Sequence, residues 1–201
     1  MNSNKKITLI ISSLTGGGAE AICLSIANSF ANNGWHVDLV VLNLNNEAYF
    51  DRISSNVNLV VLNVNHARYS FIPLLKYQVK TVLVFNHELA VILLIMRHLL
   101  RLNIRIISRN ISVLSIKIKE FKLEGFWIRN VVGPLIKYFY QKIDHVVNQC
   151  HSMRDDLITV YPQLSNNSSV IYNPISAHIE NYANKYDLTK IKKENYILCV
   201  G

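Results

Sequence analysis

Long apolar runs alternate with amphipathic stretches along most of the chain. Residues 7–13 (ITLIISS) form an unbroken run rich in β-branched side chains, which is typical of a strand buried on both faces. Runs of this kind predict strands at 7–13, 35–44, 57–64, 80–86, 104–109, 144–150 and 168–175. Helical spacing of apolar residues lies between them, at 19–30, 88–102, 126–143 and 153–161, with a short helix or turn at 70–78. Strands that alternate with helices in this way predict a parallel α/β sheet with right-handed crossovers.

Two stretches complicate this pattern. Residues 111–125 fit neither the helical nor the strand period clearly, and residues 176–194 are mostly polar and are predicted to be a linker. The run NYILCVG at 195–201 then begins another buried strand. We therefore expect one domain over 1–175, a linker over 176–194 and, at 195–201, the first strand of a second, C-terminal α/β domain.

The composition indicates a chain that folds around a core. Half of the residues are apolar and 17% are charged, which is typical of globular proteins. Cys23, Cys150 and Cys199 are widely spaced and form no metal-binding motif, so we expect no metal site and a reducing, cytoplasmic setting.

The amino terminus imitates a secretory signal, because two lysines precede an apolar run and small residues follow it. Hydroxyl residues and glycines interrupt that run, so a buried first strand is favoured. The longest purely apolar run, 89–96, is far shorter than the roughly 20 residues that span a bilayer.

The net charge of +8 is concentrated in one quarter of the chain. Between residues 91 and 142 there are ten Lys or Arg and two Glu, so this stretch accounts for the whole excess. Its cations stand among aromatic and apolar residues, a mixture that suits the surface of an anionic membrane. We predict that four of them face a membrane or the substrate: Lys117, Lys119, Lys122 and Arg129. The alternative is a core helix with a solvated basic face, and no motif for nucleic-acid binding is present.

The sequence TGGGAEA at 15–21 joins the first predicted strand to the first helix. Ligands of parallel α/β sheets bind beyond the carboxyl ends of the strands. Glycines there let the backbone approach a phosphate, and the amides at a helix start attract its charge. The spacing is not that of the dinucleotide fingerprint, because Ala21 stands where its last glycine would be. A phosphate site and a tight structural turn both remain open.

Four motifs in order make the chain similar to a known family. They are GGAE at 17–20, DHVVNQCHSMRDDL at 144–157, VIYNPI at 170–175 and YILCVG at 196–201. Together they resemble the Rossmann-like N-terminal domain of GT-B glycosyltransferases of the large retaining family 4.

This resemblance implies a bacterial enzyme of hexosyltransferase type that moves a sugar from a nucleotide-sugar donor, with retention, to an acceptor. The acceptor would be a glycan or a polyprenyl-diphosphate-linked sugar in the synthesis of a surface polysaccharide such as lipopolysaccharide. It also implies that Gly16, Gly17 and Gly18 bind the donor diphosphate through their amides, with Glu20 as a further ligand or a helix cap. No cofactor and no metal are expected. The missing C-terminal domain would hold most of the donor, so this chain alone is expected to be inactive.

The sequence departs from the family where a catalytic histidine is often found, just after the fifth strand. Arg109 and Asn110 stand there instead, and His87, after the fourth strand, is another candidate. Cys150 occupies the place of a usual serine and is expected to be a small buried residue. The alternative function is a non-catalytic Rossmann-like module that binds a nucleotide or phosphate.

Overall fold

The computed structural model describes residues 5–44, 49–77, 80–123, 125–126, 128–175 and 177–185. Within these residues the chain forms a seven-stranded sheet in which all neighbouring strands are parallel. The strands are β1 (Lys6–Ile11), β2 (His36–Val41), β3 (Val57–Val61), β4 (Thr81–Val84), β5 (Arg105–Arg109), β6 (His145–Asn148) and β7 (Ser168–Val170). Their spatial order is β3-β2-β1-β4-β5-β6-β7, which confirms the predicted Rossmann-like α/β fold.

Helices connect the strands. They are α1 (Gly18–Asn32), α2 (Phe71–Lys76), α3 (His87–Leu100), α4 (Leu114–Leu123), α5 (Gly133–Phe139), α6 (His151–Val160) and α7 (Ala177–Lys185). Shorter 3-10 turns cover Phe50–Arg52, Ala67–Tyr69, Tyr140–Lys142 and Pro162–Leu164, and a π-helical segment covers Ile128–Val132. Within the described residues, no helix combines the length and the apolar character that crossing a bilayer requires.

The burial of β1 explains its unbroken apolar sequence. Ile10 packs in the core on the side of α3, whereas Leu9 and Ile11 pack in the core on the side of α1. Because successive side chains of a strand go to opposite faces, a strand covered on both faces needs apolar residues throughout. The N-terminal run is therefore the buried first strand that the sequence favours over a signal peptide.

The ends of α3 are defined by its flanking residues. The Asn86 side chain caps the start, since its Oδ1 accepts the amides of Glu88 at 2.8 Å and Leu89 at 3.4 Å. The helix ends at Arg101, whose backbone is left-handed with a φ of 51°. The body of the helix is apolar on several sides because the sheet, α5 and the turn at 67–69 all pack against it.

The last strand is shorter than the sequence predicts. β7 ends at Val170 rather than at residue 175, and Ile171 makes only one further sheet bond, from its amide to the Asn148 carbonyl. The Ile171 carbonyl accepts from Arg109 instead, and Pro174 has no amide to donate. The side chains of residues 171–175 are exposed.

The ambiguous stretch after β5 is helical. α4 occupies 114–123, and the predicted helix at 126–143 is divided into a π-helical segment, α5 and a 3-10 turn. α5 begins at Gly133-Pro134, which is the break that this dipeptide indicates, because proline fits the first turn of a helix.

The predicted linker contains structure of its own. α7 occupies 177–185, inside the polar segment 176–194. Residues 186–201, and with them the strand predicted at 195–201, lie outside the described part of the chain. The proposed division into two domains stays a prediction.

Leu93 and Leu99 provide a test of the core on one helix. Leu93 is fully buried and Leu99 is 65% exposed. We expect Leu93→Ala to lower the free energy of unfolding by about 2–5 kcal/mol, because it removes packed apolar surface and leaves a cavity. Leu99→Ala should change it by less than about 0.5 kcal/mol. Urea denaturation checks both, and equal effects would contradict the packing of α3.

Candidate functional site

Successive strands are added to the sheet in one direction from β1 to β3 and in the opposite direction from β4 to β7, so the order reverses between β1 and β4. Strands β1, β2 and β3 lie on one side of that point and β4 to β7 on the other, so a crevice opens at the carboxyl ends of β1 and β4. The loops there are linked by Asn86 Nδ2, which donates to Ser12 Oγ at 3.2 Å. The glycine-rich joint follows β1 directly, and His87 follows β4.

The glycine loop presents amides without partners. Within the described residues, the amides of Gly18, Ala19 and Glu20 have no acceptor, because they belong to the first turn of α1 and no side chain caps it. The first amide bonded in the helix is that of Ala21, which donates to the Gly17 carbonyl at 3.1 Å. This helix start therefore offers donors and the positive end of a helix dipole at the crevice.

The three glycines have different structural causes. Gly16 has a φ of 115°, a conformation that side chains rarely adopt, and its carbonyl accepts from the Tyr49 hydroxyl at 2.9 Å. A Cβ on Gly17 would collide with the carboxylate of Glu20, which folds back over this position. Within the described residues, a Cβ on Gly18 would meet nothing within 4 Å. The domain itself thus requires glycine at position 16 alone among the three, because the end of the flexible Glu20 side chain can move away from a Cβ on Gly17.

Two of the three catalytic candidates, His87 and Asn110, meet in one buried network. His87 Nε2 lies 3.2 Å from Asn110 Oδ1, and the Tyr140 hydroxyl donates to the same oxygen at 2.6 Å. Asn110 Nδ2 donates to Asn148 Oδ1 at 2.9 Å, and Tyr140 also lies 2.8 Å from Ser108 Oγ. All five side chains are buried. The network joins the carboxyl ends of β4, β5 and β6.

The network fixes the state of His87. Asn110 Oδ1 can only accept, so His87 Nε2 carries a proton and donates to it. Burial lowers the pKa of His87 from its usual 6.5 to about 4, and the Lys117 charge acts in the same direction, although the bond to Asn110 opposes the shift. His87 is therefore a neutral imidazole near pH 7.

Arg109 belongs to a second set of bonds at the same edge. Its guanidinium donates to the Ile171 carbonyl at 3.2 Å and to Asn173 Oδ1 at 2.8 Å. Asn173 Nδ2 donates to Gln149 Oε1, and Gln149 Nε2 donates to the Asn110 carbonyl. These bonds form a ring that ties the segment after β7 to the ends of β5 and β6. Arg109 is 4% exposed, and its Nε has no partner within the described residues.

Sequence patterns pointed to His87, Arg109 and Asn110 but missed Tyr140, Asn148, Gln149 and Asn173. Asn148, Gln149 and Asn173 follow apolar runs directly or lie just beyond them. That position was the signal by which the sequence could have identified them. The expectation for Cys150 was wrong. It is half-exposed because it stands at the start of α6, and the neighbouring Ser152 hydroxyl, 3.1 Å away, lowers the pKa of its thiol.

A small apolar cavity of about 110 Å³ lies between α3, the π-helical segment and α5. Ile92 and Leu135 are among the apolar side chains that line it, and Arg68 and Glu88 are its charged residues. Glu88 is in the first turn of α3, so the cavity lies beside the carboxyl edge of the sheet.

The predicted basic residues lie on α4 and the π-helical segment. Lys119 and Arg129 are exposed, and Lys117 pairs with Glu120 at 3.0 Å. Lys122 is in α4, but its side chain lies outside the described part. Exposed apolar side chains accompany them: Ile116 at 53%, Leu123 at 90% and Phe126 at 75%. Within the described residues, no group of three His, Cys, Asp or Glu could hold a metal ion.

The depressed pKa of His87 predicts a dependence of stability on pH. The unfolded chain binds a proton on this side chain near pH 6.5, whereas the folded chain does so only near pH 4, so acid favours unfolding across that window. The loss should amount to at most about 3 kcal/mol between pH 6.5 and pH 4. In His87→Gln, the amide can still donate to Asn110 but does not titrate. We expect urea denaturation to show a smaller loss for the variant, and parallel curves would contradict the burial of a neutral His87.

Comparison with known proteins gives the same picture at the level of the family and the fold. A family model, Glycosyltransferase Family 4, matches residues 16–178, which is most of the chain. No curated protein sequence matches closely enough to count as a relative.

Three similar solved structures illustrate the likeness in fold. The lipopolysaccharide outer core galactosyltransferase WaaB in apo form has a TM-score of 0.58 at 14% identity, over 85% of this chain and 46% of its own. Anabaena Alr3699/HepE in complex with UDP and glucose has a TM-score of 0.58 at 14% identity, over 87% of this chain and 46% of its own. WaaG, a glycosyltransferase involved in lipopolysaccharide biosynthesis, has a TM-score of 0.55 at 15% identity, over 89% of this chain and 50% of its own.

The chain thus spans about half the length of these proteins, and at such identity the likeness concerns the fold alone. Its parallel sheet, strand order and flanking helices match one half of a GT-B fold. The family model and the fold agree, and we conclude that this chain belongs to glycosyltransferase family 4.

Proposed function

We propose that this chain is the acceptor-side half of a retaining glycosyltransferase of hexosyltransferase type. The enzyme transfers a sugar from a nucleotide-sugar donor to a glycan or polyprenyl-diphosphate-linked acceptor in the synthesis of a bacterial surface polysaccharide. The observation that carries the proposal is the run of unpaired amides at Gly18, Ala19 and Glu20, at the reversal point of the sheet. Two similar structures, HepE and WaaB, are described as a complex with UDP and glucose and as a galactosyltransferase of lipopolysaccharide.

These amides are suited to the charge that develops as a glycosidic bond breaks. A departing nucleoside diphosphate gains negative charge on its phosphate oxygens, and preorganised N–H donors stabilise that charge without reorganising. No metal or other cofactor is needed for this step in our proposal. In this proposal, a second domain outside this chain holds most of the donor. The isolated chain is therefore expected not to transfer sugar.

Glu20 must change its position when the donor binds. Its carboxylate lies over Gly17, at the helix start that a diphosphate would occupy. Two anions at one site repel each other, so we propose that Glu20 turns aside and accepts a hydrogen bond from a donor hydroxyl. His87, Arg109 and Asn110 act as supports in this proposal, since their bonds hold the loops after β4, β5 and β7 in place.

We propose that the apolar cavity takes the first part of the acceptor's lipid. It lies beside the carboxyl edge, and Arg68 is placed to attract the acceptor's phosphates while the Ile92 and Leu135 side chains contact its hydrocarbon. The basic surface of α4 would then bring the enzyme to the cytoplasmic face of an anionic membrane. There Lys119 and Arg129 bind headgroups, and Leu123 and Phe126 enter the interface.

A substitution at Gly18 distinguishes the two hypotheses for the glycine joint, a diphosphate-binding site and a structural turn. In the full-length protein, Gly18→Ala should weaken UDP binding by about 10–100-fold, because a methyl group at the helix start displaces the phosphates from charge-assisted bonds worth about 1.5–3 kcal/mol. Stability should stay the same or rise by about 0.5–1 kcal/mol, since alanine is the better helix former. Isothermal titration and thermal denaturation measure the two effects.

The matched control is Gly125→Ala, where the added Cβ also meets open space but which lies outside the glycine loop. It should change UDP affinity by less than twofold, roughly 0.4 kcal/mol. If Gly18→Ala binds UDP like the unaltered protein, the glycine joint is a structural turn and the diphosphate site lies elsewhere.

Charge reversal on α4 tests membrane binding. We expect Lys119→Glu, Lys122→Glu and Arg129→Glu together to reduce flotation with phosphatidylglycerol vesicles more than tenfold, since each cation at the surface contributes roughly 1 kcal/mol. Lys117 is left unchanged because it pairs with Glu120. A control with the same change of net charge reverses the exposed Lys5, Arg52 and Lys185. Equal losses in both variants would indicate a diffuse charge effect and not a membrane-binding face.

A further inference from the structure

The amino edge of the sheet, opposite the glycine loop, contains a basic pocket. It lies where α3 and α5 end, has a volume of about 280 Å³ and is lined by Leu94, Arg97, His98, Arg101, Phe139 and Lys142. Every titratable side chain in this lining is basic. The residues come from two separate parts of the chain, so the folded structure and not local sequence assembles them.

Most of this positive charge is not neutralised within the described residues. Arg97 pairs with Asp144 at 2.5 Å, and Asp144 also accepts the Ile106 amide at 2.7 Å. Arg97 donates to the Lys142 carbonyl at 2.6 Å, which fixes the two sides of the pocket to each other. In the same described part, neither Arg101 nor Lys142 forms an ion pair, and the Lys142 ammonium lies 4.3 Å from the Tyr138 ring centre.

The backbone of Arg101 adds a second observation. Its φ of 51° and ψ of 39° are left-handed, a conformation that usually belongs to glycine at a helix end and that costs other residues roughly 1–2 kcal/mol. Cations near a helix C-terminus gain about 0.3–1 kcal/mol from the helix dipole. That gain applies to Arg97 and His98 in α3 and to Lys142 in the turn after α5, but it gives no reason for the two helix ends to share one pocket.

We propose that this pocket binds a phosphate group, at a site separate from the glycine loop. Arginine and lysine together suit a phosphate, because a guanidinium donates two parallel bonds and an ammonium supplies a compact charge. Arg97 is already held by Asp144, so Arg101 and Lys142 provide the charge for the ligand. The phosphate belongs either to a free phosphorylated molecule or to a lipid headgroup. Leu99 and Leu100, 65% and 44% exposed, lie next to Arg101 in the sequence and offer apolar contacts to the second source.

The experiment uses the full-length protein with two probes. One probe is inorganic pyrophosphate, which is titrated calorimetrically. Saturating UDP is present to occupy the glycine loop, so that pyrophosphate does not bind there. The other is a set of phosphatidylcholine vesicles with and without an equimolar share of phosphatidic acid. The variant combines Arg101→Gly, which suits the left-handed backbone, with Lys142→Gln. The control combines Lys80→Gln and Arg105→Gln, two exposed residues of the same edge outside the pocket lining.

We expect the pocket variant to lose at least tenfold in affinity for the probe that binds, with a melting temperature equal to or above that of the unaltered protein. The control should lose less than threefold. Pyrophosphate binding that the pocket variant loses identifies a free ligand, and binding to phosphatidic acid vesicles that the pocket variant loses and the control keeps identifies a headgroup. If neither probe binds, or if the pocket variant and the control lose equally, the proposal is wrong. UDP binding, which depends on the glycine loop, should be the same in all these proteins.

Discussion

The common direction of the strands is the constraint on which the rest of the structure depends. Because all neighbouring strands of the sheet are parallel, every strand ends at one edge and begins at the other. Each connection must then leave the carboxyl edge and return to the amino edge. The starts of α1, α3 and α6, with their positive dipole ends, therefore collect on one side of the domain. In our proposals the two edges bind anions for different reasons, one through backbone dipoles and the other through charged side chains.

A buried amide holds the carboxyl edge together. Asn110 uses both ends of its side chain, since Oδ1 accepts from Tyr140 and His87 and Nδ2 donates to Asn148. A buried polar network that is fully satisfied fixes its members in one arrangement, because any other arrangement leaves a group unpaired. The bond between Asn86 and Ser12 extends this order to the loop after β1. The amides of the glycine loop thus lie next to a rigid base, as preorganised donors require.

Local patterns were sufficient to predict the sheet and the glycine joint. A continuous apolar run is the direct consequence of burial on both faces, so β1, β2 and β4 could be located from their own residues. The network at the carboxyl edge could not, because its partners are 23 to 38 positions apart and only the strand order brings them together. The end of β7 was misplaced for the same reason. The guanidinium that bonds to the Ile171 carbonyl comes from Arg109, 62 positions earlier.

The cations of residues 91–142 show the same limit of prediction from local sequence. The sequence showed that residues 91–142 carry the whole charge excess, and it suggested one membrane-facing surface. The fold divides these cations among an exposed face on α4, the pocket beside α3 and a buried arginine on β5. Charge counts along a chain cannot resolve this, since α3 and the turn after α5 are separated by about forty residues yet share one pocket.

The three glycines show how structure can distinguish a fold requirement from a ligand requirement. Gly16 is needed for its positive φ, so the domain explains it without any ligand, whereas a Cβ on Gly17 would only make the flexible Glu20 carboxylate move. Gly18 has neither reason. It occupies the first position of α1, where alanine would fit and would stabilise the helix by roughly 0.5–1 kcal/mol. A residue that weakens its own helix, and whose added Cβ would meet nothing within the described residues, is explained if a ligand must come close to its backbone. A diphosphate drawn to the free amides of this turn is a group of the right charge to do so.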